Sequence, residues 1–258
     1  MAEPGFRLEH DGPIDWLTLD DGSRLNGLTE TMVAEMTRYF TALAQSDVRI
    51  VVMRGANGGF CAGLDLKAPL PALDADPGEG MRFMSVFGGL ILAMRGAPQV
   101  VIALLEGAVA GGGMAIALAA DLRYAAPDMR MTPAFTRLGL SGAEMGLSYL
   151  LPRVIGAGRA SEILLTGRSV DADEALATGL VSAVVTSGLE DHARRVSSDM
   201  LRATPLALRL TKEAIGLGLD ADLGGAIATE NRNQTLCFQS RAPREGVNAF
   251  LEKRPADF

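Results

Sequence analysis

Two strand-like runs, Val48–Arg54 and Val100–Leu105, each end directly in a glycine-bearing turn, and that pairing restricts the fold more than any other feature. The first turn reads Gly55-Ala-Asn-Gly-Gly-Phe-Cys-Ala-Gly-Leu-Asp-Leu-Lys67. The second reads Glu106-Gly-Ala-Val-Ala-Gly-Gly-Gly-Met114 and opens into Ala115–Ala120, a strong helix former. Glycine between a strand and a helix lets backbone N–H groups approach a ligand and aim at an anion. For either turn alone, a tight and closely packed loop is the competing explanation. Neither is a nucleotide motif: Gly111-Gly112-Gly113-Met-Ala-Ile lacks the last glycine of the dinucleotide fingerprint, and no phosphate-loop Lys-Ser/Thr is present.

The same alternation extends along the front half. Ile14–Leu19 and Leu122–Ala125 are further β-rich runs, and Thr29–Ala44 places Met32, Val33, Met36, Phe40 and Leu43 on one helical stripe behind a capping Thr29. Strands separated by helices predict crossover connections and a largely parallel sheet. Beyond residue 140 the pattern is helical: Gly156–Thr166, Asp171–Thr178, Leu189–Arg202, Pro205–Leu217, Ala221–Phe238 and Arg241–Lys253, with one more strand over Gly179–Val185. Asp171 and Glu174 form a capping-box-like start. Lys67–Gly80, rich in Pro and Gly, reads as a long loop. The expected class is an α/β core followed by a helical tail.

Composition excludes several partners. The 258 residues carry a net charge of −7 with no basic stripe, which disfavours nucleic acid. The uncharged stretch Gly107–Ala120 is too short and too glycine-rich to cross a bilayer, and Met1–Phe6 has no signal-peptide core. The two cysteines, Cys61 and Cys237, form neither a metal-binding spacing nor a disulfide framework. A soluble cytoplasmic protein without a metal site or membrane partner is expected.

Together the motifs resemble the crotonase (enoyl-CoA hydratase/isomerase) superfamily. The resemblance runs through Arg24-Leu-Asn-Gly-Leu28, Phe60-Cys-Ala-Gly-Leu-Asp65, Gly111-Gly-Gly113, Ala175-Leu-Ala-Thr-Gly-Leu-Val181 and Ala249-Phe-Leu-Glu-Lys-Arg254. It implies a crotonase-like α/β spiral of ββα units, with residues 1–195 forming the core and acyl-CoA site. Residues 196–258 would form a helical trimerisation region, giving a homotrimer or hexamer. It also implies an acyl-CoA substrate, with coenzyme A entering as part of the thioester and no other cofactor.

Carried over position by position, the thioester oxygen would rest between the backbone N–H groups of Leu64 and Gly112. Such donors stabilise the enolate that forms when a proton leaves the neighbouring carbon. Ala62 would offer its carbonyl to the adenine amino group. Arg24, one residue displaced from the usual basic position, would help hold the CoA moiety, and Lys253 would reach a CoA phosphate across a subunit boundary. Asp65 is grouped with these by position, although it and Asp121 read as turn and capping residues. Lysine is rare, limited to Lys67, Lys212 and Lys253, and two of the three fall in motif segments.

The departures from the family pattern bear on mechanism. The positions of the two hydratase glutamates hold Ala115 and, after Pro133, Ala134. Alanine cannot shuttle a proton. Glu144 instead matches the acid of the dienoyl-CoA isomerase and chlorobenzoyl-CoA dehalogenase branches, which predicts one-carboxylate proton transfer. Two alternatives stay open: hydrolysis with Glu144 as nucleophile, and CoA binding without turnover. Gly139-Leu-Ser141-Gly-Ala143 falls one glycine short of a nucleophile elbow, His10 and His192 lie in no motif, and Cys61 has no matched histidine.

Overall fold

The computed structural model describes residues 5–23, 25–67 and 74–258. Arg24 and the stretch 68–73 of the Pro/Gly loop lie outside these.

The chain opens with strands β1 (Phe6–Asp11) and β2 (Ile14–Leu19), then helix α1 (Glu30–Ala42), strand β3 (Ile50–Gly55) and helix α2 (Pro77–Gly96). Strand β4 (Val100–Leu105), strand β5 (Ala108–Ala110) and helix α3 (Gly112–Ala119) follow, then β6 (Leu122–Ala125) and β7 (Arg130–Thr132). A 3-10 turn (Ala134–Leu138) leads to α4 (Leu147–Ile155), α5 (Ala157–Thr166), β8 (Val170–Asp171), α6 (Ala172–Ala177) and β9 (Ala183–Val184). Helices α7 (Leu189–Leu201), α8 (Pro205–Gly218), α9 (Leu223–Phe238) and α10 (Ala242–Glu252) complete it.

One sheet has the order β1-β2-β3-β4-β6-β9; β1 runs antiparallel to β2 and every other pair is parallel. Its side chains alternate between two cores, as the two-residue period of a strand requires. Leu17, Leu19, Val51, Met53, Val101 and Ala103 join the core shared with α1, α2 and α3. Trp16, Ile50, Val52, Ile102 and Leu104 face the opposite way, against Leu189 and Ala193 of α7. Burial on both faces explains why these strands read as continuous apolar runs. A smaller sheet, β5-β7-β8, stands beside the first, and isolated parallel bridges Leu28–Leu64 and Cys61–Val109 continue the winding between them.

Local chemistry sets the helix starts. Thr29 Oγ1 accepts the Met32 N–H at 3.2 Å, and Asp171 accepts the Glu174 N–H at 2.9 Å. The Pro/Gly stretch departs from expectation at its end: Pro77-Gly-Glu-Gly80 is the first turn of α2, not loop. Pro77 occupies the first helical position, where no N–H is required, and the Asp76 carboxylate accepts the Gly78 and Glu79 N–H groups. The strand expected over Gly179–Val185 reduces to Ala183–Val184.

The expected division after residue 195 falls inside α7, whose Leu189, Ala193 and Ser197 are buried; the helix is continuous and packs on the core sheet. Beyond it, α8 is tied to the core by Lys212, whose ammonium donates to Gln99 O at 2.7 Å and pairs with Asp121 at 2.9 Å. The last two helices present Leu223, Phe238, Phe250 and Leu251 to solvent. Among the described residues no helix is long and apolar enough to cross a membrane.

Candidate active site

Glycine brings the two turns into contact. Gly63 has φ +91°, and a Cβ there would lie 2.8 Å from Ala110 O and 3.1 Å from the Gly112 nitrogen. Only a residue without a side chain lets the two backbones pass so closely. Beside it, the Leu28–Leu64 bridge is made by Leu28 N–H to Gly63 O (2.8 Å) and Asp65 N–H to Leu28 O (3.0 Å). Both bonds use the polar groups of Leu28, so among the described residues the Leu64 N–H has no acceptor.

Gly111, with φ +51°, turns the chain into α3 while its own N–H is held by Thr132 O at 2.9 Å. Gly112 is then the first residue of a helix that is buried throughout. First-turn N–H groups have no intrahelical partner, and the helix dipole makes that end electropositive. The Gly112 N–H likewise has no acceptor among the described residues.

Leu64, Gly112 and Glu144 all line one cavity of about 550 Å³. Glu144 sits in the turn ahead of α4, where its carbonyl accepts the Leu147 N–H at 3.0 Å. Met145 (φ +48°) and Gly146 (φ +81°) make that turn sharp, and Met145 is buried on the wall beside the carboxylate. A non-glycine residue in the left-handed region is a strained conformation of the kind that clusters at functional sites. The Glu144 carboxyl is half-buried and, among the described residues, has no hydrogen-bond or ion-pair partner; burial pushes its pKa up from the ordinary carboxylate value. Ala134 and its neighbour Phe135 line the wall, whereas Ala115 is fully buried inside α3. None of the three can transfer a proton.

This arrangement coincides with a match of the enoyl-CoA hydratase/isomerase family profile to residues 9–258. The chain belongs to the enoyl-CoA hydratase/isomerase family. It is 39% identical over 247 residues to a Mycobacterium leprae protein named probable enoyl-CoA hydratase, covering 93% of this chain and 84% of that one. It is 32% identical over 257 residues to the 1,2-epoxyphenylacetyl-CoA isomerase of Escherichia coli, covering 98% of each. An enoyl-CoA hydratase structure from Bacillus anthracis superposes with TM-score 0.92 at 30% identity, covering 98% of both chains. The fold is therefore the crotonase spiral.

The other residues expected at the site of this family member divide into two groups. Ala62 is on the cavity wall, and its carbonyl accepts no backbone N–H among the described residues. Asp65 closes a turn by accepting the Lys67 N–H at 2.9 Å, and it stands beside the wall rather than on it. Lys253 caps the exposed end of α10 and does not reach the cavity. Arg24 lies outside the described residues. Lys212 is committed to Asp121 and two core carbonyls.

Competing nucleophiles do not assemble. Cys61 is fully buried, and burial pushes its thiol up to about 12. Ser141 lines the cavity, but neither histidine does: His10 bonds Asp15 at 2.7 Å, and the His192 ring packs on Tyr124. Among the described residues no group of three His, Cys, Asp or Glu side chains could hold a metal ion.

One contributor escaped the sequence reading. Asn26 is fully buried at φ +48°, and its Nδ2 donates to Gly59 O (2.8 Å), Ala56 O (3.0 Å) and Phe60 O (3.3 Å). It clamps the turn that leads to Leu64. The Asn26-Gly27 pair, a common left-handed turn signal, was the available clue.

Proposed function

We propose that this enoyl-CoA hydratase/isomerase family enzyme holds an acyl-CoA thioester with its carbonyl oxygen on the Leu64 and Gly112 N–H groups and moves a proton with Glu144 alone. The carboxylate takes a proton from a carbon of the acyl chain, and the C–H electron pair moves through the conjugated system onto the thioester oxygen as an enolate. The two amides stabilise that charge, and the proton returns at a different carbon with the double bond shifted. Coenzyme A enters and leaves with the substrate, and no further cofactor takes part. Ala62 O receives the adenine amino group, Arg24 helps hold the CoA moiety, Lys253 reaches a CoA phosphate across a subunit boundary, and Asp65 holds the turn that follows Leu64.

One observation carries this reading: Glu144, whose carboxyl has no partner among the described residues, lines the same apolar cavity as Leu64 and Gly112, whose backbone N–H groups have no acceptor among them. Two-glutamate hydration is disfavoured because its positions are Ala115 and Ala134. The relatives include one named an isomerase beside several named probable enoyl-CoA hydratase, so the reading rests on the residues at these positions. The solvent-facing Leu223, Phe238, Phe250 and Leu251 suit a helical tail, residues 196–258 in the expected division, that packs between subunits of a homotrimer or hexamer.

Solvent-deuterium exchange tests the chemistry. Wild-type protein should wash deuterium into an enoyl-CoA, and Glu144→Gln should abolish exchange while still binding CoA thioesters. Exchange that survives Glu144→Gln contradicts the assignment, and covalent acyl label on Glu144 would transfer it to the nucleophile role.

A further inference from the structure

We propose that the acyl end of this cavity is shaped for an aromatic ring carried close to the thioester, held between Phe135 on one side and the Phe83–Phe87 pair on the other. This rests on the acyl-CoA reading above and adds the class of acyl group. Of 9 phenylalanines in 258 residues, these three converge on one cavity. Phe83 and Phe87 already touch, with centroids 5.1 Å apart and planes tilted by 52°. Phe135 lines the same space and makes no ring contact with either.

The slot is anchored and near the reacting atoms. Phe87 and Phe135 are 3% and 7% exposed, packed into the main core, so their rings are held in place. The Phe135 Cζ lies 3.6 Å from where a Cβ on Gly111 would be, one residue before the Gly112 N–H. A ring one or two carbons from the thioester would therefore reach Phe135 while its carbonyl sits on the two amides. The Met84 and Met145 thioethers complete the lining with polarisable sulfur, which makes favourable contacts with ring edges. An unbranched chain would gain burial there but no edge-to-face contacts, and it would lose more rotational freedom on binding.

Calorimetric titration of the intact protein with three nine-carbon acyl thioesters that lack an α,β double bond tests this without relying on turnover. We expect 3-phenylpropanoyl-CoA to bind at least about fivefold more tightly than both nonanoyl-CoA and 3-cyclohexylpropanoyl-CoA. Phe135→Leu and Phe83→Leu should each cut that preference below twofold. Phe83 is half-buried at the rim, so its variant serves even if Phe135→Leu does not fold. Parity of the phenyl ligand with either competitor overturns the ring slot and leaves the acyl-CoA reading intact. A preference that survives a folded leucine variant also overturns it. Failure of all three to bind overturns both readings.

Discussion

Gly63 lies so close to Gly112 that a Cβ on the first would sit 3.1 Å from the backbone nitrogen of the second. Leu64, the next residue, and Gly112 both line the cavity. Gly63→Ala adds strain at φ +91° and pushes directly on that nitrogen. We expect proton exchange to fall by about a hundredfold, the size of losing one oxyanion donor. Leu64→Ala keeps its N–H and should cost less than tenfold. Equal losses in the two variants, measured as kcat/KM, would contradict a backbone role.

Glu144 gives opposite signs for stability and activity. Its pKa is raised by burial. A group of this kind leaves stability intact below its unfolded pKa and removes it as pH climbs through the folded one. Ionised Glu144 therefore destabilises the fold at neutral pH, and Glu144→Gln should melt above wild type at pH 7. The gap should close below about pH 4, where both states are protonated. Wild-type exchange should instead increase with pH through the same titration, because the carboxylate is the proton acceptor. A variant that melts lower at pH 7 would show that the carboxylate has a stabilising partner.

The neighbouring glycines 112 and 113 should separate function from folding. A Cβ on Gly113 would meet Cys61 O at 2.2 Å, a backbone atom that cannot step aside. Gly113→Ala should destabilise by about 3 kcal/mol, read by denaturant unfolding. A Cβ on Gly112 meets Leu28 Cδ1 at 2.9 Å and Met145 Sδ at 3.1 Å, the far ends of flexible side chains. Gly112→Ala should fold with near-native stability but lose exchange, because Met145 adjoins Glu144. The opposite pattern would mean that α3 starts elsewhere.

Cys61 should be silent to thiol reagents. With its pKa pushed up to about 12 and its side chain buried, native protein treated with iodoacetamide at neutral pH should be labelled at Cys237 only. Mass spectrometry that finds Cys61 alkylated in folded protein would reopen a thiol mechanism.

The parts legible in sequence are those with strong local signals. Thr29 and Asp171 cap helices, and Ile14–Leu19 and Val100–Leu105 are strands of the expected extent. The unread parts have weak or contradictory local chemistry. β1 is an edge strand whose outward Glu9 and Asp11 break its apolar pattern, and β5, β7 and β8 have two or three residues each. Their pairing is a tertiary fact with no local period. Helix α4 was hidden by an internal Pro152, and the first turn of α2 by its proline and glycine.

At the site, motif order named residues 62, 64, 112 and 144, which line one cavity. It could not show that Gly63 must lack a side chain because Gly112 passes beside it, nor that Asn26 clamps the intervening turn. Both depend on segments more than 30 residues apart meeting in space. Lys212 illustrates the converse: its scarcity suggested nothing about its burial against Asp121, which ties α8 to the core.

Isotope-edited infrared spectroscopy of a bound acyl-CoA, with ¹³C at the thioester carbonyl, examines the two-amide cradle most directly. Hydrogen bonds from Leu64 and Gly112 should lower the carbonyl stretching frequency relative to the free thioester, and Gly63→Ala should return it toward the free value. A bound carbonyl with the frequency of free thioester in wild-type protein would contradict the account.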